Sequence, residues 1–267
     1  MSHDAVAVRE KQSQVWDVSD DPRWRLTIYE PLYGGKIFAN IGGPALLDYM
    51  GAYAGLGPEH SVLELGSGMG DGCEYVATHF GCRVTGVEMS TPQIERARAR
   101  HPDSHARGFD FIQADMMQWE PSERYDVVYF GDMLPLSQDR HELLKRVHRW
   151  LRPGGALTMT DILAGSDLTD EEREFLWDED GFDVPSESHS LAMLREVGFQ
   201  DLDVTDITHT VVTLQKTILD ASFRHKTTLI EAVGFDKWIA WVNSAKGYRR
   251  LFAERKLLGL RIGTHRS

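Results

Sequence analysis

Short apolar runs alternate with helix-spaced stretches through the middle of this chain, and that alternation leaves few folds open. The runs are Ser61-Val-Leu-Glu-Leu65, Arg83-Val-Thr-Gly-Val87, Tyr125-Asp-Val-Val-Tyr-Phe130 and Ala156-Leu-Thr-Met-Thr160, with Phe109-Asp-Phe-Ile-Gln113 a weaker fifth. Between them, 93–100 and 141–151 space their apolar positions as helices do. Strand and helix at this pitch predict βαβ units, hence an α/β fold with a parallel sheet covered on both faces. Arg152-Pro-Gly-Gly155 reads as a turn that ends a helix and feeds the next strand. Around this core, 1–58 reads as helical, broken at Tyr33-Gly-Gly35 and Gly42-Gly-Pro44, and 163–190 reads as an acidic, irregular insertion. Further on, 199–208 reads as a strand, a helical stretch follows to about Arg255, and 257–263 reads as a last strand.

Charge and cysteine content narrow the partners. The 267 residues carry 41 acids against 29 bases, a net charge of −12, which opposes non-specific binding to nucleic acid or to an anionic membrane. No run reaches the roughly 18–20 apolar residues of a membrane span, and the first residues lack the apolar stretch of a signal peptide. Cys73 and Cys82 are too few for a disulfide framework and show no zinc-like spacing, so no metal is expected. A soluble, cytoplasmic protein is predicted.

The segment Glu64-Leu-Gly66-Ser-Gly68-Met-Gly70-Asp-Gly72 follows a buried strand and opens a helix, so its backbone can turn sharply and approach a ligand. A dinucleotide site needs G-x-G-x-x-G, but counting from Gly66 the sixth residue is Asp71, and from Gly68 it is Cys73. A carboxylate at Glu64 suits an ammonium group better than a pyrophosphate. S-adenosylmethionine has an amino-acid end and no phosphate, so the spacing favours it over NAD. Glu88, with Met89 beside it, closes the next strand where an acid can accept both ribose hydroxyls; the alternative is a cap on the helix starting near Ser90. Asp115 can receive the adenine amino group and Met116 can pack on the ring; the alternative for Asp115 is a polar strand end.

With these anchors in place, 55–165 resembles a class I S-adenosylmethionine-dependent methyltransferase. Finer similarity to the sarcosine/dimethylglycine and phosphoethanolamine N-methyltransferases is carried by Tyr33-Gly-Gly35 through Ile41-Gly42-Gly43, the Gly66 to Cys73 loop, Asp206-Ile-Thr-His209, and Asn243 to Tyr248. The resemblance implies a Rossmann-like, seven-stranded, mostly parallel sheet whose last strand inserts antiparallel, with helical lids. Its parts would be an N-terminal helical lid at 1–54, a cofactor-binding core at 55–165, and 166–267, which combine a lid insertion with the end of the sheet. It also implies that Tyr33 to Asn40 close over the cofactor and that Gly131-Asp132-Met133 contact cofactor and acceptor. One departure stands out: Pro135 falls where the phosphobase enzymes place a His. In addition, 163–190 hold ten acids against the single base Arg173, a balance that opposes a phosphate and favours a cation.

Methyl transfer is an in-line displacement for which the protein positions the acceptor and excludes water. Asp132, just past the fourth strand, is the candidate to hold an ammonium and take its proton; the alternative is a helix N-cap or turn residue before the helix at Ser137. His209 is a second candidate near the acceptor, against a structural role. Trp16, Trp24, Tyr29, Tyr33 and Phe38 form a partial aromatic cage or simply pack the lid, with Tyr33 the candidate cofactor contact. Cys73 reads as core. The expected function is methyl transfer to a small-molecule acceptor, at an amine nitrogen of an amino acid or another small cationic metabolite. Transfer to oxygen, carbon or sulfur of a secondary metabolite, and a non-catalytic S-adenosylmethionine-binding protein, are the alternatives.

Overall fold

All five apolar runs become parallel strands in the computed structural model, which describes residues 10–11, 35–36, 38, 40–137 and 139–267. They are β1 (Ser61–Leu65), β2 (Arg83–Glu88), β3 (Phe109–Gln113), β4 (Tyr125–Gly131) and β5 (Leu151–Ala164). β6 (Phe199–Asp206) and β7 (Leu257–Arg266) complete one seven-stranded sheet in the order β3-β2-β1-β4-β5-β7-β6. β7 lies antiparallel between β5 and β6, as the resemblance implies.

Helices cover both faces: α1 (Pro44–Ala54), α2 (Asp71–Phe80), α3 (Thr91–Arg100), α4 (Arg140–Trp150), α5 (Asp170–Asp180) and α6 (Glu187–Val197). α7 (Thr208–Arg224), α8 (Lys226–Val233) and α9 (Phe235–Ala253) fill the connection from β6 to β7. Successive side chains of a strand point to opposite faces, and β4 uses both. Val127 and Tyr129 pack with Leu47, Met50 and Val76 of α1 and α2. Val128 and Phe130 pack with Leu143, Val147 and Leu194 of α4 and α6. That two-sided burial is why this run reads as continuously apolar.

Three expectations change. The 163–190 segment is not irregular: β5 runs on to Ala164, and α5 follows, opened by a capping box in which Thr169 and Glu172 satisfy each other's backbone N–H. The strand predicted at 199–208 stops at Asp206, whose carboxylate accepts the Thr208 N–H at 2.8 Å and starts α7 instead. The helical stretch after it is three helices, broken at His225 and at Gly234, where φ is +85°. The Arg152-Pro-Gly-Gly155 turn is present as a bulge at the start of β5. Leu151 pairs with Tyr125 and Ala156 with Val127, and the four residues between loop out.

In the N-terminal part, Gly42-Gly-Pro44 does break the chain, with Pro44 in the first turn of α1. Trp16, Trp24, Tyr29 and Tyr33 lie outside the described residues. Among the described residues no helix is long and apolar enough to cross a membrane. Cys73 and Cys82 are both buried and free.

Candidate functional site

The carboxyl ends of β1, β2 and β4 open on a crevice of about 340 Å³, at the place where an open α/β sheet receives ligands. Between β1 and α2 the glycine loop folds back on β2. The N–H groups of Gly66 and Ser67 both donate to the Val87 carbonyl, at 2.8 and 3.1 Å. Gly68 takes φ +53°, which turns its N–H onto Glu88 Oε2 at 3.0 Å, while Glu88 Oε1 accepts the Ser90 N–H at 2.8 Å. Glu88 accepts from the N-cap residue Ser90 and not from the first turn of α3, so it braces the turn before that helix instead of capping it. It is also a wall of the crevice, its carboxylate oriented by two backbone donors.

Glu64 is held from the helix side. Cys73 Sγ donates to Glu64 Oε2 at 2.9 Å. A Cβ on Gly72 would come within 2.3 Å of Glu64 Oε1, so only glycine leaves room for the carboxylate. Burial pushes Glu64 up to about 7, with the charges of Asp71 and Glu88 adding to it and the Cys73 hydrogen bond opposing it. Cys73 thus packs in the core and also orients a crevice carboxyl. Asp115, after β3, lines the crevice with Met116, but its oxygens accept the Met117 N–H at 2.8 Å and Gln118 Nε2 at 3.0 Å. The polar strand-end role is real alongside any ligand contact.

Asp132 sits just beyond β4 with φ +57°, 7% exposed, and lines the same crevice. Its Oδ2 accepts the Ile41 N–H at 2.7 Å and its Oδ1 accepts Thr160 Oγ1 at 2.8 Å. One carboxylate therefore joins the N-terminal segment, β4 and β5. Burial pushes it up to about 6 against those two hydrogen bonds. It is not a helix cap: Asp139 caps α4, accepting the Glu142 N–H at 2.9 Å. Asn40 reaches the crevice by packing on Gly131, where a Cβ would meet Asn40 Cβ at 2.4 Å. On the opposite side of β5 from Thr160, Asp161 is fully buried, and Ser190 Oγ donates to its Oδ2 at 2.9 Å.

Of the residues singled out from sequence, Asn40, Glu64, Gly66, Gly68, Glu88, Met89, Asp115, Met116, Gly131 and Asp132 line one crevice. Tyr33 lies outside the described residues. Gly70 does not line it: with φ +83° it caps α2, and the Phe111 ring occupies the space of a Cβ. His209 does not either; it is exposed in the first turn of α7, where its carbonyl accepts Thr213 Oγ1. The predicted acidic lid is also mostly an outer face. Asp167, Asp170, Glu171, Glu174, Asp178 and Glu187 are exposed, Glu172 pairs with Lys256 at 2.7 Å and Asp183 with Arg140 at 3.1 Å. Asp180 alone of the ten acids lines the crevice.

The outer wall is only partly legible in the sequence. It consists of Asp180 at the end of α5 and Phe182 just beyond it, Gln215 and Ile218 from α7, and Trp241 and Ser244 from α9, with Tyr248 nearby, 6.3 Å from Phe182 between ring centroids. The lid insertion expected within 166–267, with Asp180 among its acids, and Asn243 to Tyr248 are its sequence signals, but they do not single out Phe182, Gln215, Ile218 or Trp241. Elsewhere, Asp71, Glu74 and His101 bring ligand-type atoms within 4.8 Å of one another. Cations already hold that group: Arg100 lies 3.0 Å from Asp71, Arg107 2.7 Å from Glu74, and Lys36 also pairs with Glu74. Arg100 donates to the Gly35 carbonyl at 2.7 Å as well, so the cluster ties the segment leading to Asn40 onto α2 and α3.

Residues 62–155 match the methyltransferase-domain family. Over 203 residues the chain is 29% identical to phosphoethanolamine N-methyltransferase 3 of Arabidopsis thaliana, which covers 76% of this chain and 41% of that protein. It is 30% identical over 221 residues to an arsenite methyltransferase of Aquipseudomonas alcaligenes, covering 73% and 61%. Phosphoethanolamine N-methyltransferase 2 of Haemonchus contortus, solved with phosphomonomethylethanolamine and S-adenosylhomocysteine, superposes with a TM-score of 0.85 at 19% identity. That superposition covers 97% of this chain and 60% of the other, and it is a likeness of fold. The chain thus spans less than two thirds of the length of each of these proteins.

Proposed function

We infer, from the match of residues 62–155 to the methyltransferase-domain family, that this chain transfers a methyl group from S-adenosylmethionine to an amine nitrogen of a small molecule. The observation that carries this is the Gly68 N–H to Glu88 bond, which fixes a phosphate-free glycine loop and a ribose-type acid on one crevice wall. The residues fit that cofactor. Ser67 Oγ and Ser137 Oγ are buried in the crevice wall without a hydrogen-bond partner among the described residues, ready for a polar ligand.

In this assignment Glu88 takes the ribose hydroxyls, since a carboxylate accepts more than the two bonds seen here. Glu64, beside Gly66 and Gly68, faces the amino-acid end; Asp115, Met116 and Met89 surround the adenine; Asn40 and Gly131 close the middle. S-adenosylmethionine supplies an electrophilic methyl carbon. Asp132 holds the acceptor's ammonium and receives its proton as the nitrogen lone pair is freed, a task suited to a carboxyl that titrates near 6. Residues 1–54 and 166–267 flank a cofactor-binding core at 55–165. The partner is a small cationic acceptor, not nucleic acid or membrane, and two free cysteines suit a cytoplasmic setting.

Calorimetry with S-adenosylmethionine and NADH, followed by transfer of a labelled methyl to pools of amines, phenols and thiols, tests this. Cofactor binding and label in amines are expected. NADH binding without S-adenosylmethionine binding would overturn the assignment, and binding without transfer would make the chain a non-catalytic S-adenosylmethionine-binding protein.

A further inference from the structure

On the methyl-transfer reading above, we propose that Gln215 sets acceptor specificity: its side-chain carbonyl receives a hydrogen bond from a second donor group of the acceptor. The substrate is then an amine that also carries a hydroxyl or a second amine. Position 215 breaks the pattern of its own helix. Along α7, Val211, Ile218 and Leu219 recur at helical spacing and are buried. Gln215 falls in the same stripe, one turn after Val211, where a leucine or methionine would pack. Its Oε1 is buried, lines the crevice, and has no hydrogen-bond partner among the described residues. A buried carbonyl without a donor costs stability, and folded chains leave few of them. A polar group kept in an apolar stripe at that cost, on a cavity wall, marks a ligand contact.

The same helix places Gln215 on the acceptor's side. Val211 packs in one cluster with Ile41 and Ile162. The Ile41 N–H donates to Asp132 Oδ2 at 2.7 Å, and Ile162 stands two residues beyond Thr160, whose Oγ1 donates to the other oxygen at 2.8 Å. Gln215, one turn on from Val211, is about 6 Å along the helix axis from the residue that packs on this brace. Val211 also lies against Gly259 of β7, where a Cβ would come within 2.9 Å of it. β5 and β7 lie on the far side of β4 from β1, β2 and β3, the strands whose ends position Glu64, Glu88 and Asp115. An acceptor whose amine is held at Asp132 therefore reaches Gln215 with a part of the molecule remote from that nitrogen. A hydroxyl or an ammonium supplies the missing donor; an alkyl chain or an ether oxygen does not.

The test uses terminal amino alcohols and diamines of increasing chain length, with the methyl ether of each alcohol and the alkylamine of the same length as controls. Binding is measured by calorimetry on protein saturated with S-adenosylhomocysteine, and turnover with labelled S-adenosylmethionine. At the chain length that spans Asp132 and Gln215, the alcohol or the diamine is expected to be preferred over both controls by about 10- to 100-fold in Kd and in kcat/KM. Gln215→Leu removes the carbonyl and keeps the size. It is expected to bring that preference to within about threefold. Because the orphaned group is gone, its Tm is expected to hold at or above the wild-type value. Ethers bound as well as alcohols, a series with no preferred donor at any length, a preference that survives Gln215→Leu, or a lowered Tm in that variant would each overturn the proposal. If amines of every kind are methylated without preference, the transferase reading stands and the role of Gln215 falls. If the preference appears in binding but no methyl is transferred, Gln215 keeps its role and the transferase reading falls.

Discussion

Replacing Asp161 by Asn is expected to remove most of one carboxyl's worth of pH dependence from the protein's stability. Asp161 lies in β5, fully buried, with Ser190 donating to one oxygen and the other oxygen without a partner among the described residues. Burial pushes it from an ordinary 3.8 up to about 7, with the negative charge of Asp132 adding to the effect. The folded chain therefore keeps this proton at pH values where the unfolded chain has lost it. Stability from this group is full below about pH 4 and falls as pH rises towards 7, by about 1.4 kcal/mol per pH unit. Between pH 5 and pH 8 the wild type loses about 2.5 kcal/mol through this one group. Asn does not titrate, so the variant escapes that loss. Any fixed cost of burying the amide is independent of pH and cancels. Urea unfolding of both proteins at pH 5, 6, 7 and 8 gives the difference directly. It is expected to move by about 2.5 kcal/mol in favour of Asn across that range. A difference that stays constant would mean that Asp161 is hydrated in solution, and the buried-carboxyl account would be wrong.

Glu88→Ala is expected to weaken S-adenosylmethionine binding by about 10- to 100-fold in calorimetry, the worth of hydrogen bonds to a charged group; unchanged affinity would leave Glu88 as a turn brace only. In Gly72→Ala the new Cβ displaces the Glu64 carboxylate, so both Tm and cofactor affinity are expected to fall, while a crystal structure with Glu64 in place would contradict the packing described. Asp132→Asn is expected to lower kcat much more than cofactor affinity. The same variant is expected to abolish an acid limb of kcat/KM near pH 6, where activity rises as the carboxyl loses its proton. His209→Ala, at an exposed position outside the crevice, is expected to leave kcat and KM as they are; a large loss would bring α7's first turn back into the site.

The half of the site built on the sheet was legible because each of its residues lies at or just past the carboxyl end of a strand. Glu64, Glu88, Asp115 and Asp132 needed only the strand ends to be found, and those are marked by apolar runs ending in Gly or acid. The half built on helices was only partly so. Helical spacing over 208–253 is visible, but which face meets the crevice depends on how α7 and α9 pack on each other and on β7, which spacing does not encode. α5 was hidden by its charge, since Leu176 is its only buried residue, yet its Thr169-x-x-Glu172 capping box stood in the sequence. His209 was misplaced for a local reason. Thr208 Oγ1 accepts the Gly259 N–H at 3.1 Å, which turns Thr208 inward and its neighbour to solvent.

The position of β7 has a consequence for how the molecule assembles. Among the described residues β6 pairs with β7 alone, so it has no place in the sheet until β7 has docked along β5, and the whole of α7 to α9 intervenes in sequence between the two strands. Such long-range pairing is slow, because a large loop must close before any contact rewards it. The same event brings Gln215, Ile218 and Trp241 down over the sheet. The roof of the crevice is thus completed by one of the last pairings to form. A ligand that bridges sheet and roof binds only the finished molecule, and it slows unfolding from the edge at which folding finished.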